Sequence, residues 1–273
     1  MRSSFHRDRS VKCGAQNGRC MVQTAIIMGM IGHLDDDTGR TITRVGDAEY
    51  SGIELGIESV DDGSTKALDE TGLGVTSIMT GLDQIRSPEE GLLSACRTLD
   101  CDRVVLGWLD ETYYASPQAT KDTAALLNEC SDGLAEYGLT LCYHNHDHEF
   151  ITFDDAEGRT AFEVLVDHLD DRVQFEFDVG WVGTAGADPA EVIRTYADRV
   201  PLIHLKDMVY ETSESVQLGE GDLNVEEVVE AAVDADVEWL IYEHEYPEDA
   251  EVSMRETAPK MNDLVSMTEG NTE

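Results

Sequence analysis

The chain has 273 residues, enough for one large α/β core. Its 57 acidic against 19 basic residues give a formal net charge of −38. That charge argues against DNA, RNA and anionic membranes as partners, and no apolar run is long enough to span a bilayer. Only five of the basic residues are lysine. An acidic, lysine-poor surface suits a high-salt cytoplasm, where screening suppresses self-repulsion. Repeated apolar segments separate this chain from acidic disordered proteins. Six cysteines (Cys13, Cys20, Cys96, Cys101, Cys130, Cys142) form no Cys-x-x-Cys pair and read as reduced thiols of a cytoplasmic protein. Residues 1–20 stand apart, with Arg2, Arg7, Arg9, Lys12 and Arg19 against Asp8. No apolar segment follows those charges as a signal peptide requires. They read as a disordered tail, or as residues upstream of a true first residue at Met21.

From Met21 the chain alternates strand-like and helix-like segments. Residues 22–29 are an apolar strand, followed by a polar loop with His33 and three aspartates at 35–37. Residues 42–49 are helical, 52–56 a short strand, 64–70 helical and 75–80 the third strand. Pro88 is expected at the first turn of a helix reaching Leu99. Residues 103–109 are the fourth strand, and 120–137 a long amphipathic helix ended by Gly138. The fifth strand is 139–146, then a helix at 160–169, and the sixth strand is 173–179. Asp188-Pro189 supplies an N-cap and a first-turn proline for a helix at 189–197. The seventh strand is 201–206. Asn224 caps a helix at 225–233, the eighth strand is 239–243, and 252–267 is a closing helix. Eight βα units in one chain predict a single-domain (β/α)8 TIM barrel over residues 21–273 rather than an open sheet. No Gly-x-Gly-x-x-Gly follows the first strand, so nothing supports a dinucleotide site.

In such a barrel the chemistry sits at the C-terminal strand ends. Residues 143–150 read Tyr-His-Asn-His-Asp-His-Glu-Phe and hold three of the eight histidines. The fifth strand thus ends in His144, Asn145, His146 and, just beyond, Glu149. The sixth ends in Asp178, within Phe-Glu-Phe-Asp-Val-Gly-Trp. The seventh carries His204, Lys206 and Asp207, and the eighth Glu243, His244 and Glu245. Imidazoles and carboxylates are unfavourable at partly buried strand ends unless something pairs with them. A divalent metal is the simplest common partner, and rim ion pairs are the alternative. Glu54 ends the second strand, where it touches substrate or pairs with a basic residue. Trp108 and Trp181 wall the pocket or pack. Lys206 binds a substrate oxygen, or forms a salt bridge to Asp207 or another acid.

His-Asn-His-Asp-His-Glu-Phe, then Asp-Val-Gly-Trp with Ala-Gly-Ala-Asp-Pro, then His-Leu-Lys-Asp, then a late-strand glutamate resembles the xylose isomerase-like barrel superfamily. Within it the chain is similar to the sugar phosphate isomerase/epimerase group, near inosose dehydratases and keto-sugar epimerases, in a halophilic archaeal form. The resemblance runs from about Met21 to Met267. It implies one divalent ion (Mn2+, Co2+ or Zn2+) held by carboxylates and a histidine. By position Asp178, His204 and Glu243 match three ligands. Many relatives place a glutamate where this chain has His144. Period-two alternation puts His144, His146 and His148 on one face, and Glu149 is expected to bend back as the fourth ligand, with His146 next in line.

The implied chemistry is proton abstraction beside a carbonyl through an enediolate, helped by the ion. Glu149 or a fifth-strand histidine such as His146, together with Glu243, forms the expected acid/base pair. His144, Lys206, Trp181 and Glu54 are the expected substrate contacts. A phosphate would need a glycine-rich or basic nest after the late strands. Gly219 and Gly221 lie instead beside Glu220 and Asp222, so an unphosphorylated keto-sugar or cyclitol is expected. Competing readings are a dehydratase-like lyase, an abasic-site endonuclease, which the charge opposes, and a non-catalytic sugar-binding barrel. A homo-oligomer is compatible with all of them.

Overall fold

The computed structural model describes residues 21–31, 34, 37–154 and 158–271. The expectations for residues 1–20 and for His33 lie outside the described residues.

Eight parallel strands close into a barrel: β1 (Gln23–Ile27), β2 (Gly52–Gly56), β3 (Gly74–Thr80), β4 (Arg103–Leu106), β5 (Thr140–His144), β6 (Gln174–Asp178), β7 (Leu202–Leu205) and β10 (Trp239–Tyr242). Each strand pairs with its sequence neighbour in the barrel, and β1 closes the ring against β10, with Gln23 opposite Trp239. The two remaining strands, β8 (Asp207–Val209) and β9 (Glu214–Val216), form an antiparallel hairpin after β7. That hairpin was not expected. Its strands are three residues each, too short to carry a period-two signal.

Barrel strands are buried on both faces, so they read as apolar runs rather than alternating ones. Leu202–Leu205 and Trp239–Tyr242 are buried at every position. Alternation still decides which side chain faces which compartment. Phe175 and Phe177 stack on each other and pack against Phe162 and Tyr196 outside the barrel. Glu176 and Asp178 therefore take the interior face.

Local capping sets the helix boundaries. Asp61 and Ser64 form a reciprocal capping box, as do Thr160 and Glu163. Asp188 caps the helix Pro189–Thr195, with proline at its first turn, and Asn224 caps Val225–Asp234. Gly72 adopts φ +75 at a helix C-cap and Gly138 adopts the same angle beyond Pro117–Ala135, a conformation glycine reaches without strain. Pro88 differs from expectation. The helix is Glu90–Leu99 with Glu89 as N-cap, so Pro88 precedes the cap. Among the described residues no helix is long and apolar enough to cross a membrane.

Candidate metal and sugar site at the C-terminal mouth

Polar side chains on the interior face collect where the strands end. Glu54, Glu176, Asp178 and His204 are fully buried, and Lys206 and His144 almost so. His204 is the hub. Its Nδ1 lies 2.7 Å from Glu243 Oε2, and its Nε2 lies 2.8 Å from Glu54 Oε2 and 3.3 Å from Glu176 Oε2. Burial opposes charge on this imidazole, but Glu176 and Glu54 outweigh it and hold its pKa well above the usual value. Ser77 Oγ donates to Glu54 Oε1 at 2.5 Å. Burial, then repulsion from Glu54, pushes the Glu176 carboxyl well above the carboxylate range.

Asp178 begins a short helix, Val179–Thr184, and its Oδ1 accepts the Trp181 amide at 3.0 Å. Asn145 clamps the Asp178 backbone, accepting its N–H at 3.0 Å and donating to its carbonyl at 3.3 Å. The β5 and β6 ends are thereby locked together. Asp178 Oδ2 is buried and has no hydrogen-bond partner, and neither has Glu176 Oε1. Burial raises the Asp178 carboxyl to about 6 against the pull of Lys206.

The Lys206 ammonium stands 3.4 Å from both Asp178 Oδ2 and Glu243 Oε1, and 2.5 Å from Glu245 Oε1. It also lies 4.7 Å from the Trp181 ring centre, a cation–π contact. Burial opposes its charge, but the three carboxylates outweigh that and raise its pKa. Its partners are these acids rather than Asp207. Asp207 instead accepts the amides of Gly219, Gly221 and Leu223 at 2.8, 3.0 and 3.1 Å. The glycine loop considered as a phosphate nest is thus filled by a carboxylate of the chain itself.

The structure gathers Asp178, His204, Glu243, Glu54, His144 and Lys206, with Trp181 beside the lysine. It does not gather Glu149. Strand β5 ends at His144, and Asp147–Phe150 form a 3-10 turn, so the expected alternation of histidines stops there. Within that turn Glu149 Oε1 accepts from the Tyr143 hydroxyl, and Oε2 accepts the His146 amide at 2.9 Å. Tyr143 in turn bonds Tyr114. This buried setting raises the Glu149 carboxyl to about 8, chiefly by desolvation. His148 turns away to the Leu109 carbonyl, 2.8 Å from its Nε2. His146 packs edge-on to Trp108, with ring centres 4.3 Å apart, and its buried Nδ1 has no partner. Burial lowers its pKa to about 3, so the ring is neutral. Trp108 is 55% exposed. His244 Nδ1 meets Ser253 Oγ at 3.1 Å, away from the cluster.

Glu176 and Ser77 were not singled out from the sequence. Glu176 was legible in principle, because period two from Asp178 lands on it. It was masked by the two phenylalanines that make β6 read as apolar.

Two triplets bring their ligand atoms within 4.8 Å of one another: His144, Asp178 and His204, and Glu54, Glu176 and His204. Nitrogen and carboxylate donors suit a divalent transition metal. The buried Asp178 Oδ2, which has no hydrogen bond, is what such an ion would satisfy, so the residues fit one. A cleft of about 630 Å³ opens beside Glu243, walled also by Ile27, Met30, Leu34, Glu245 and Tyr246.

Fold and site together define a xylose isomerase-like TIM barrel. The sequence profile of that family matches residues 42–264, and the chain belongs to it. An inosose dehydratase of Clostridium perfringens is 30% identical over 109 residues. That stretch is 40% of this chain and 35% of the relative, so the chain spans about a third of the length of this curated relative. A sugar phosphate isomerase/epimerase from Parabacteroides distasonis superposes with a TM-score of 0.75 at 18% identity, covering 93% of this chain and 99% of the other. An L-ribulose 3-epimerase gives 0.70 at 16% identity, covering 92% and 97%. These two likenesses are of fold.

Proposed function

We propose that the protein is a divalent-metal-dependent isomerase or epimerase of an unphosphorylated keto-sugar or cyclitol. One observation carries this reading: the convergence of buried Asp178 and His204 and partly buried Glu243 around a lysine, with the Asp178 Oδ2 atom left without a hydrogen bond. These three residues would hold the ion, with a further donor from the end of β5. Bound there, the ion supplies Lewis acidity that eases loss of a proton beside a carbonyl.

The chain's own groups do the rest. Glu243 is the proposed base. Burial disfavours its charge, but Lys206 and His204 overcome that and keep the carboxylate ionised. Lys206 lies against the same carboxylate and orients a substrate oxygen. Neutral His146 offers its free Nδ1 to a substrate hydroxyl, and Glu149 holds the turn that presents it. Trp181 and Trp108 supply aromatic walls for a sugar face. Proton return to the opposite face gives an epimer, and to the neighbouring carbon an aldose–ketose isomer. The occupied Gly219–Gly221 loop and the acids around Lys206 support a substrate without phosphate.

A dehydratase-like lyase is the second reading, favoured by the stretch shared with inosose dehydratase. The test is a screen of keto-sugars and inososes in deuterated water with added Mn2+ or Co2+. Deuterium beside the carbonyl with unchanged product composition supports isomerase or epimerase action. Loss of one water from the product supports the lyase. If no substrate exchanges a proton and the protein takes up no divalent ion, the enzyme reading falls.

A further inference from the structure

The fourth donor is open among three residues at the end of β5, and hydrogen bonding separates them. Both oxygens of Glu149 already accept hydrogen bonds, from Tyr143 and from the His146 amide. His146 is held against Trp108 and stacked on His148 at 5.7 Å, with ring planes 11° apart. His144 differs from both. Its Nδ1 lies 2.9 Å from Glu176 Oε2, and its Nε2 faces Asp178 Oδ2 across 3.9 Å.

That gap is too long for a hydrogen bond. It is the right size for two donors to one ion, because two metal–ligand bonds of ~2.1 Å span at most ~4.2 Å. A buried imidazole whose Nδ1–H is engaged by a carboxylate has its tautomer fixed, with the Nε2 lone pair free to bind. Glu176 can do this only because it sits inside the barrel on β6, where it reaches both His144 and His204.

Granting the metal-dependent reading above, we propose that His144 is the fourth ligand through Nε2 and that Glu176 is its positioning residue. The ion then meets two imidazoles, from His144 and His204, and two carboxylates, from Asp178 and Glu243. Replacing a hard carboxylate by imidazole moves the site's preference from manganese toward cobalt and zinc.

The test counts imidazoles directly and needs no substrate. The purified protein is stripped of metal, loaded with one equivalent of Cu2+, and examined by pulsed electron paramagnetic resonance. Coupling to remote imidazole nitrogens then distinguishes one bound ring from two. The expected result is two rings in the native protein and one in His144→Glu. In Glu176→Gln two rings remain, but affinity in a chelator competition falls by ~10–100-fold, the effect of losing the partner of a ligating imidazole. His144→Glu also raises the ratio of Mn2+ to Zn2+ affinity by at least ~10-fold. A single ring in the native protein overturns the proposal while leaving the metal-dependent reading intact, and that measurement needs no variant to fold. Unchanged affinity in Glu176→Gln removes Glu176 from the role. No ion bound at all defeats the metal-dependent reading itself, and the assignment of His144 with it.

Discussion

The two mouths of this barrel are built from the same strands and hold charge in opposite ways. At the N-terminal mouth a cleft of about 450 Å³ is lined by Gln23, Arg97, Arg103, Glu238 and Trp239. Its main ion pair, Arg103 with Glu238 at 2.5 Å, matches one cation to one anion, and the glutamate side chain is 44% exposed. At the C-terminal mouth buried Glu54, Glu176 and Asp178 and partly buried Glu243 crowd around His204 and Lys206. Acids outnumber cations there, and two carboxylate oxygens have no hydrogen bond. A matched, half-wet pair stabilises a fold modestly. An unmatched buried cluster costs stability and persists where a ligand offsets it. Cleft size does not separate the two ends, but unsatisfied acceptors do.

The sharpest way to break this contrast is to remove the Asp178 carboxylate. Asp178→Ala should abolish divalent-ion binding in calorimetry and lower turnover by at least ~1000-fold, a loss of ~4 kcal/mol of transition-state stabilisation. The variant should melt within a few degrees of the native protein when both are metal-free, because relief of the excess buried negative charge offsets the lost Lys206 contact and Trp181 cap. A large drop in metal-free melting temperature would instead make Asp178 a structural residue, consistent with its cap on Trp181.

Salt distinguishes exposed from buried charge next. With a net charge of −38, the outer surface repels itself, and the screening length shrinks from ~10 Å at 0.1 M to ~3 Å at 1 M. Raising KCl over that range should raise the melting temperature by ~10 °C or more, since each kcal/mol is worth ~2–4 °C in a domain of this size. Zn2+ affinity, governed by the buried mouth, should change far less. A melting temperature indifferent to salt would remove the argument for a high-salt habitat.

A pH titration isolates one buried acid. Glu149 has its carboxyl raised to about 8 by burial. A raised acid stabilises the fold fully below its unfolded value near 4.5, and that contribution is lost as pH rises through about 8. Glu149→Gln keeps the shape and cannot ionise. Its stability should therefore fall less than that of the native protein between those two values. Parallel stability curves in denaturant titrations would show that the fold leaves the Glu149 carboxyl at its ordinary value.

Much of this contrast is legible in the amino-acid sequence. The eight strands, their order and the capping residues Asp188 and Asn224 follow from apolar runs and turn chemistry, which are local. Asp178, His204, Lys206 and Glu243 follow from the rule that a barrel's chemistry sits at strand ends. Glu149 did not follow, because a 3-10 turn replaces strand geometry after His144 and a tyrosine pair claims its carboxylate. Glu176 was hidden inside an aromatic strand. The β8–β9 hairpin joins strands of only three residues each, and the seat of Asp207 beneath residues 219–223 depends on contacts 12 to 16 residues apart, which periodicity does not encode.

The smallest expected effect lies at the opposite mouth, and it completes the comparison. Arg103→Met with Glu238→Gln removes the matched pair together, leaving no lone charge behind. The Arg103 side chain is 18% exposed and pairs by a direct hydrogen bond, so the pair lies above the median of surface bridges. Burial works against the guanidinium, but the Glu238 hydrogen bond and charge outweigh it and raise its pKa. The double variant should lose ~1 kcal/mol in denaturant unfolding, while ion affinity and turnover stay native. Each single variant should cost more than the double, because it strands a partly buried charge. If the double variant instead weakened ion binding tenfold, the barrel would be transmitting strain from end to end, and the two mouths would not be energetically separate regions.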